Sequence, residues 1–310
     1  MSWTVIDDFH QPNGYGNVAG AAERAGQYCR ALEQGGILYF NSIPFEFPPD
    51  DIEFLLAQKQ SGFKGHKNIS YRPATDLLRG DAGETPEASQ RLRKIMREYS
   101  RRVTEFLGRF LVPYAGKWKL DFASYRPVEE HNRDLALHKR NDLVHVDAFP
   151  SRPTRGGRIL RVFTNINPQR NRVWEVTEPF EAIARKFAHD AGLKDLTAPT
   201  PARALLRGLA PLLKTVGVPG ADRSPYDRFM LRFHDYLKEN SDYQRNYPKE
   251  RIEFPPGSTW LVYTDTVPHA VLSGQYALEQ TYIIPLSAMV APKHAPIRIL
   301  EEMVGRGLAN

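Results

Sequence analysis

Near Lys117 the hydrophobic period of the chain changes, and that change restricts the possible folds more than any other feature. Before it, Leu92, Ile95, Met96, Tyr99, Val103, Phe106, Leu107 and Phe110 recur at steps of three and four, the spacing of one helix face. Thr85 is placed to cap and Pro86 to start the first turn, so a helix is predicted over 86–110. After Lys117, short segments rich in aromatic and β-branched residues alternate with Pro, Gly, Asn and Asp, the pattern of strands and turns. Strands are predicted near 119–125, 142–147, 158–165, 172–177, 251–254, 259–263, 269–272 and 277–286. Many short strands joined by irregular turns suggest an antiparallel barrel or jelly roll.

An Ala-rich helix near 20–34 ends at Gly35-Gly36 and leads into ILYF, which reads as a buried strand. Between 179 and 246 a helical block carrying EAIARKFAHDAG, PARALLRGLAPLLKTVG and SPYDRFMLRFHDYLKEN interrupts the strands. The expectation is therefore an α+β chain forming a single catalytic domain over 1–310. Within it, 1–116 is a mixed helix and strand flanking region, 117–177 and 251–287 the jelly-roll core, 178–250 a helical insertion and 288–310 a C-terminal helical tail. The chain has 310 residues and is 41% apolar, enough for one large core.

A single cysteine, Cys29, excludes a disulfide framework and a Cys-based zinc site and fits a reducing compartment. The start, MSWTVIDDFHQP, has no basic region followed by an apolar run, so a cytoplasmic protein is expected. Uncharged apolar stretches such as 281–292 are too short to cross a bilayer. The net charge of +6 comes without a long basic run, which points to a basic folded surface and an anionic partner. Arg91, Arg93, Lys94, Arg97, Arg101, Arg102 and Arg109 share the polar side of the 86–110 helix. That side reads as a solvated face that could also dock phosphates. Residues 202–216 set Leu205, Leu206, Leu209, Leu213 and Val216 against Arg203, Arg207 and Lys214, a pattern for core packing or for a lipid interface.

Of nine histidines, only His145 stands two residues before an Asp, Asp147. On a strand, such residues share a face and can hold one ion. His-x-Asp arises easily by chance, so its weight depends on a third ligand from a distant strand. His269, following the Pro255-Pro256-Gly257-Ser258 turn and the strand TWLVY, is the best candidate. Two imidazoles and a carboxylate fill one face of a metal and leave positions open for an oxidant and a co-substrate, as in non-haem iron(II) oxygenases.

The stretch NDLVHVDAFPSRPTRGGRILRVFTNINPQRNRVW, at 141–174, and the later WLVYTDTVPHAVLSGQYALEQTYIIPLSAM closely resemble the Kdo 3-hydroxylases. Kdo is the acidic eight-carbon sugar of the inner lipopolysaccharide core. The resemblance implies a double-stranded β-helix (jelly-roll, cupin-like) core flanked by helices. It implies Fe(II), 2-oxoglutarate and O2 as cofactor and co-substrates, with succinate and CO2 formed as C3 of Kdo is hydroxylated to give D-glycero-D-talo-oct-2-ulosonic acid (Ko). The implied substrate is Kdo-lipid A, met by peripheral contact with the cytoplasmic face of the inner membrane.

A 2-oxoglutarate enzyme needs a cation for the distal carboxylate, and many relatives place an Arg on the strand after the second His. Here no Lys or Arg lies between His269 and Pro285. Arg161, on the strand RILRVFTN and in alternation with Phe163 and Asn165, is the expected clamp. Arg158 and Arg172 stand behind it, and Gln280 and Tyr282 are weaker candidates from the last strand. Arg140, Asn141, Ser151 and Arg152 flank the metal pair and are the expected substrate-binding residues.

The same residues admit other readings. One is the same chemistry on a protein side chain or small metabolite, and another a non-catalytic basic β-barrel binding anionic lipid or, as the weakest version, nucleic acid. A metal hydrolase is weaker, since no HExxH-like helix is present. No nucleic-acid partner is expected, because the aromatics are not interleaved with Lys and Arg. A homo-oligomer is compatible with everything above.

Overall fold

Alternation along the strand Arg158–Asn165 sorts the molecule into two layers. Leu160 and Val162 point into a large core shared with helices, whereas Phe163 points into a smaller core between two sheets. The computed structural model describes residues 3–9, 20–61, 68–131, 133–198 and 223–309. Among these, the larger sheet runs in the order β1 (Trp3–Val5), β2 (Ile37–Phe40), β9 (Thr259–Tyr263), β6 (Arg158–Asn165), β11 (Ala277–Ile284), β5 (Lys119–Arg126), β3 (Ile69–Arg72), β4 (Leu77–Arg79). The smaller sheet is β10 (His269–Ser273), β7 (Arg172–Val176), β8 (Glu250–Phe254). Among the described residues only β1 and β2 pair in parallel. The result is an α+β jelly roll with helices against its larger sheet.

The helices are α1 (Ala21–Glu33), α2 (Pro49–Leu56), α3 (Pro86–Phe110), α4 (Phe180–Phe187), α5 (Leu193–Thr197), α6 (Pro225–Glu239), α7 (Ser241–Asn246) and α8 (Pro296–Val304). The cap expected for α3 is present: the Thr85 hydroxyl accepts the Ala88 N–H at 3.1 Å. All eight apolar residues of its predicted stripe are buried, at roughly 1.5–3 kcal/mol for each large side chain. Between the sheets, Trp174, Trp260, Phe163 and Phe254 pack by edge and face contacts, with Phe254 and Trp260 stacked 3.8 Å apart. Such aromatic filling fits an inter-sheet space that helices do not reach.

Several boundaries differ from expectation. Residues 142–147 do not form a strand; there His145 makes one isolated bridge to His269. The flanking region is part of the larger sheet, to which it contributes β1 to β4, and of these only ILYF was anticipated. Strand β11 stops at Ile284, before Pro285, which has no N–H to continue the ladder. Helix α6 begins with a capping box in which Ser224 and Asp227 satisfy each other's backbone groups. The amphipathic segment 202–216 lies outside the described residues.

Candidate functional site

The first site residues are joined by backbone pairing. His145 N–H donates to His269 O at 3.1 Å and His269 N–H to His145 O at 2.9 Å, and directly opposed antiparallel residues project to one side. Two residues on, Asp147 N–H donates to Thr264 O at 2.8 Å. One ligand atom from each of His145, Asp147 and His269 lies within 4.8 Å of the others.

The tautomers suit metal ligation. His145 Nδ1 donates to Leu143 O at 2.7 Å and His269 Nδ1 to Val267 O at 2.9 Å. In each neutral ring the Nε2 lone pair is then left for a ligand bond. Burial holds His145 well below the ordinary imidazole range, reinforced by Lys238, and burial also lowers His269. Burial works against the Asp147 carboxylate, but the Arg161 guanidinium, helped by the Thr264 hydroxyl, outweighs it and holds Asp147 well below the usual carboxylate range. Two neutral nitrogens and one carboxylate fit a divalent transition ion such as iron(II).

Beside these three residues runs a largely buried chain of alternating charge. Arg161 Nη2 lies 3.0 Å from Asp147 Oδ2, and its Nη1 lies 2.8 Å from Glu279 Oε1. Glu279 also takes Arg126 at 2.8 Å, Arg126 reaches Glu130 at 3.4 Å, and Glu130 lies 3.7 Å from Arg172. Burial opposes charge on Glu279, yet Arg161 and Arg126 hold it below the usual carboxylate range. Arg172 is pushed down to about 10 by burial, against the pull of Glu130. Gly274 (φ +135°) lets this end close: a Cβ there would stand 2.8 Å from Arg172 Cγ, and its carbonyl accepts Arg172 Nη1.

The other expected residues divide. Arg152 reaches Asp121 at 3.3 Å and stacks on Phe122 and Phe149. Asn141 donates to Glu130 at 3.2 Å. Arg140 is spent on its neighbour Asp142, and Ser151 is exposed. Arg158 sits on the opposite face of β6 from Arg161, locked to Asp265 at 2.8 Å and to Thr266, so it is an internal strut away from the metal ligands. Gln280 lies opposite Val162 in register, on that same far face, and donates to Asp121 O. Asn165 does share Arg161's face, but its side chain ties the Arg170 and Phe254 carbonyls at the strand end. Tyr282 meets Thr104 of α3.

Four participants escaped the sequence reading. Arg126 is the last residue of β5, one past the predicted end at 125, and Glu279 is the acidic hinge between the two arginines. Trp174 stacks on the His269 ring at 4.8 Å. His234 of α6 meets the His145 ring edge-on at 4.8 Å. Period-2 reading of β5 and β11 puts Arg126 and Glu279 on the correct face; nothing local connects α6 to the metal ligands.

A family model described as 3-deoxy-D-manno-oct-2-ulosonic acid (Kdo) hydroxylase matches residues 16–307. No curated protein matches the sequence. Among solved structures, the chain is similar to the Kdo hydroxylase KdoO, a non-heme Fe(II) alphaketoglutarate-dependent dioxygenase. Against the complex with alphaketoglutarate and Fe(III), identity is 33% and TM-score 0.82, over 99% of this chain and 97% of the other. The apo form gives 34% and 0.83, and the cobalt(II) complex 34% and 0.84, each over 100% and 98%.

Proposed function

Since the chain belongs to the Kdo hydroxylase family, we propose that it hydroxylates C3 of Kdo carried on lipid A, converting 2-oxoglutarate and O2 to succinate and CO2. The observation that carries this reading is the bridge between His145 and His269, which brings two neutral imidazoles to the ionised carboxylate of Asp147. When bound there, iron(II) supplies the oxidising chemistry. The residues of the chain hold it and arrange its surroundings. Leu143 O and Val267 O fix the imidazole tautomers, and Trp174 covers the His269 ring.

Arg161, with Arg126 beside it across Glu279, takes the distal carboxylate of 2-oxoglutarate by charge-assisted hydrogen bonds. Arg152 and Asn141 belong to the substrate side, with Arg140 and Ser151 at its edge. No helix among the described residues is long and apolar enough to cross a membrane. A net charge of +6 favours peripheral attachment to the anionic cytoplasmic face of the inner membrane, where a lipid-anchored sugar is presented.

The test is aerobic incubation of the protein with Fe(II), 2-oxoglutarate and Kdo-lipid A, followed by mass spectrometry. The expected product is heavier by one oxygen and appears with succinate, and Asp147→Ala abolishes it. Succinate formation with no oxygen gained by Kdo-lipid A would remove the substrate assignment while leaving the oxygenase.

A further inference from the structure

Outward from the metal ligands, arginines and phenylalanines alternate. Arg161, in contact with Asp147, lies 5.8 Å from the Phe149 ring centre. The Arg152 guanidinium is 4.4 Å from that ring and 3.9 Å from Phe122, and Arg72 lies 4.9 Å from Phe122. A stacked guanidinium spends its faces on the rings and keeps its in-plane N–H edge for an anion. Arg152 spends part of that edge on Asp121. Arg72 has no carboxylate partner among the described residues, and its buried Nε has no hydrogen-bond partner.

The charges around this ladder do not cancel once the metal is counted. Arg72, Arg152 and Arg161 face Asp121, Glu279 and Asp147, but Asp147 belongs to the metal and Glu279 is shared with Arg126. Burial raises the Asp121 carboxyl against its arginine neighbours. Burial likewise disfavours the Arg152 charge, and Arg161 and Arg72 add like-charge crowding. A further anion would relieve this crowding.

We propose that Arg72 and Arg152, held in plane by Phe122 and Phe149, seat the C1 carboxylate of the acidic sugar. This rests on the reading that the substrate carries Kdo. In a 3-deoxy-oct-2-ulosonic acid only C2 separates the carboxylate from the C3 methylene. Seating the carboxylate beside Phe149 therefore also sets where C3 stands relative to the ligands, and Arg72 is a specificity residue contributed by the flanking region.

The test compares the methyl glycoside of Kdo with its C1 methyl ester. Binding to the anaerobic enzyme loaded with Fe(II) and 2-oxoglutarate is measured by calorimetry. Wild type is expected to bind the acid at least about tenfold more tightly than the ester, the scale of one charge-assisted hydrogen bond. In Arg72→Met that ratio falls toward one, chiefly through weaker binding of the acid. Equal binding of acid and ester by wild type, or a wild-type ratio in Arg72→Met, overturns the proposal. If the melting curve shows that Arg72→Met is unfolded, Arg72→Lys decides, because it keeps charge without the planar fork. An intermediate ratio then supports the seat, and an unchanged ratio overturns it. If wild type in air adds oxygen to neither compound nor to Kdo-lipid A, the Kdo reading itself falls. A preserved activity with an unchanged ratio removes only the seat.

Discussion

Arg161 serves two carboxylates at once, Asp147 at 3.0 Å and Glu279 at 2.8 Å, with its Nε buried and unpartnered. Two roles are proposed for it: aligning the Asp147 carboxylate for a metal, and receiving the distal carboxylate of 2-oxoglutarate. They separate under substitution. Arg161→Met is expected to weaken 2-oxoglutarate binding by about 10- to 100-fold, the loss of one or two charge-assisted hydrogen bonds. Calorimetry under anaerobic conditions measures it. A variant that lost only iron, read by metal analysis, would make Arg161 an aligner of Asp147 alone. Arg126→Met should give a smaller 2-oxoglutarate defect, because Arg126 reaches the region only through Glu279 and is also held by Glu130. A larger defect than that of Arg161→Met would reverse the assignment.

At the scale of elements, α6 links the helical insertion to the loop after the metal pair. Asp227 Oδ1 accepts the Thr154 and Arg155 N–H groups at 2.8 and 3.1 Å, while Oδ2 accepts the Ser224 hydroxyl at 2.6 Å. Ser224→Ala should cost about 1 kcal/mol, an ordinary N-cap loss. Asp227→Asn should cost about 2 kcal/mol, since an amide nitrogen must face one set of donors. Urea unfolding measures both, and equal costs would contradict the bridging role. The sequence made α3 legible because its three-and-four period is clean over several turns, and β6 and β9 because they are short β-branched and aromatic runs bounded by turn residues. It misplaced 142–147 because a single backbone bridge has no period. It reached His145, Asp147 and His269 through spacing and strand order. It missed Arg126, and gave no hint of the neighbours of Arg72, because a cation at a strand end reveals its neighbours only when the sheet order β11-β5-β3 is known. Arg158, a reserve candidate for the clamp, lies on the face opposite Arg161 because three residues along a strand reverse the side.

On the scale of the whole molecule, the apolar cores and the charged site share one sheet. One face of that sheet packs on helices, and the other carries Phe163 toward the aromatic layer and Arg161 toward the metal ligands. Holding charges there requires each to be balanced, and Glu130, with its side chain 2% exposed, joins Arg126, Arg133 and Arg172. Burial alone would raise its pKa; those three arginines and the Asn141 amide bring it below the usual carboxylate range. A depressed folded-state pKa contributes stability that is present above the unfolded value and lost as pH falls through the folded one. Glu130→Gln should therefore be less stable than wild type at pH 7, by about 3 kcal/mol for a broken buried ion pair. The difference should narrow as pH falls from about 4.5, where the unfolded carboxylate begins to take up its proton, through the lower folded-state value. Urea unfolding of both proteins from pH 7 to pH 3 measures the gap. A gap that stayed constant over that range would mean that Glu130 acts by shape rather than by charge, and that the arginines are balanced elsewhere.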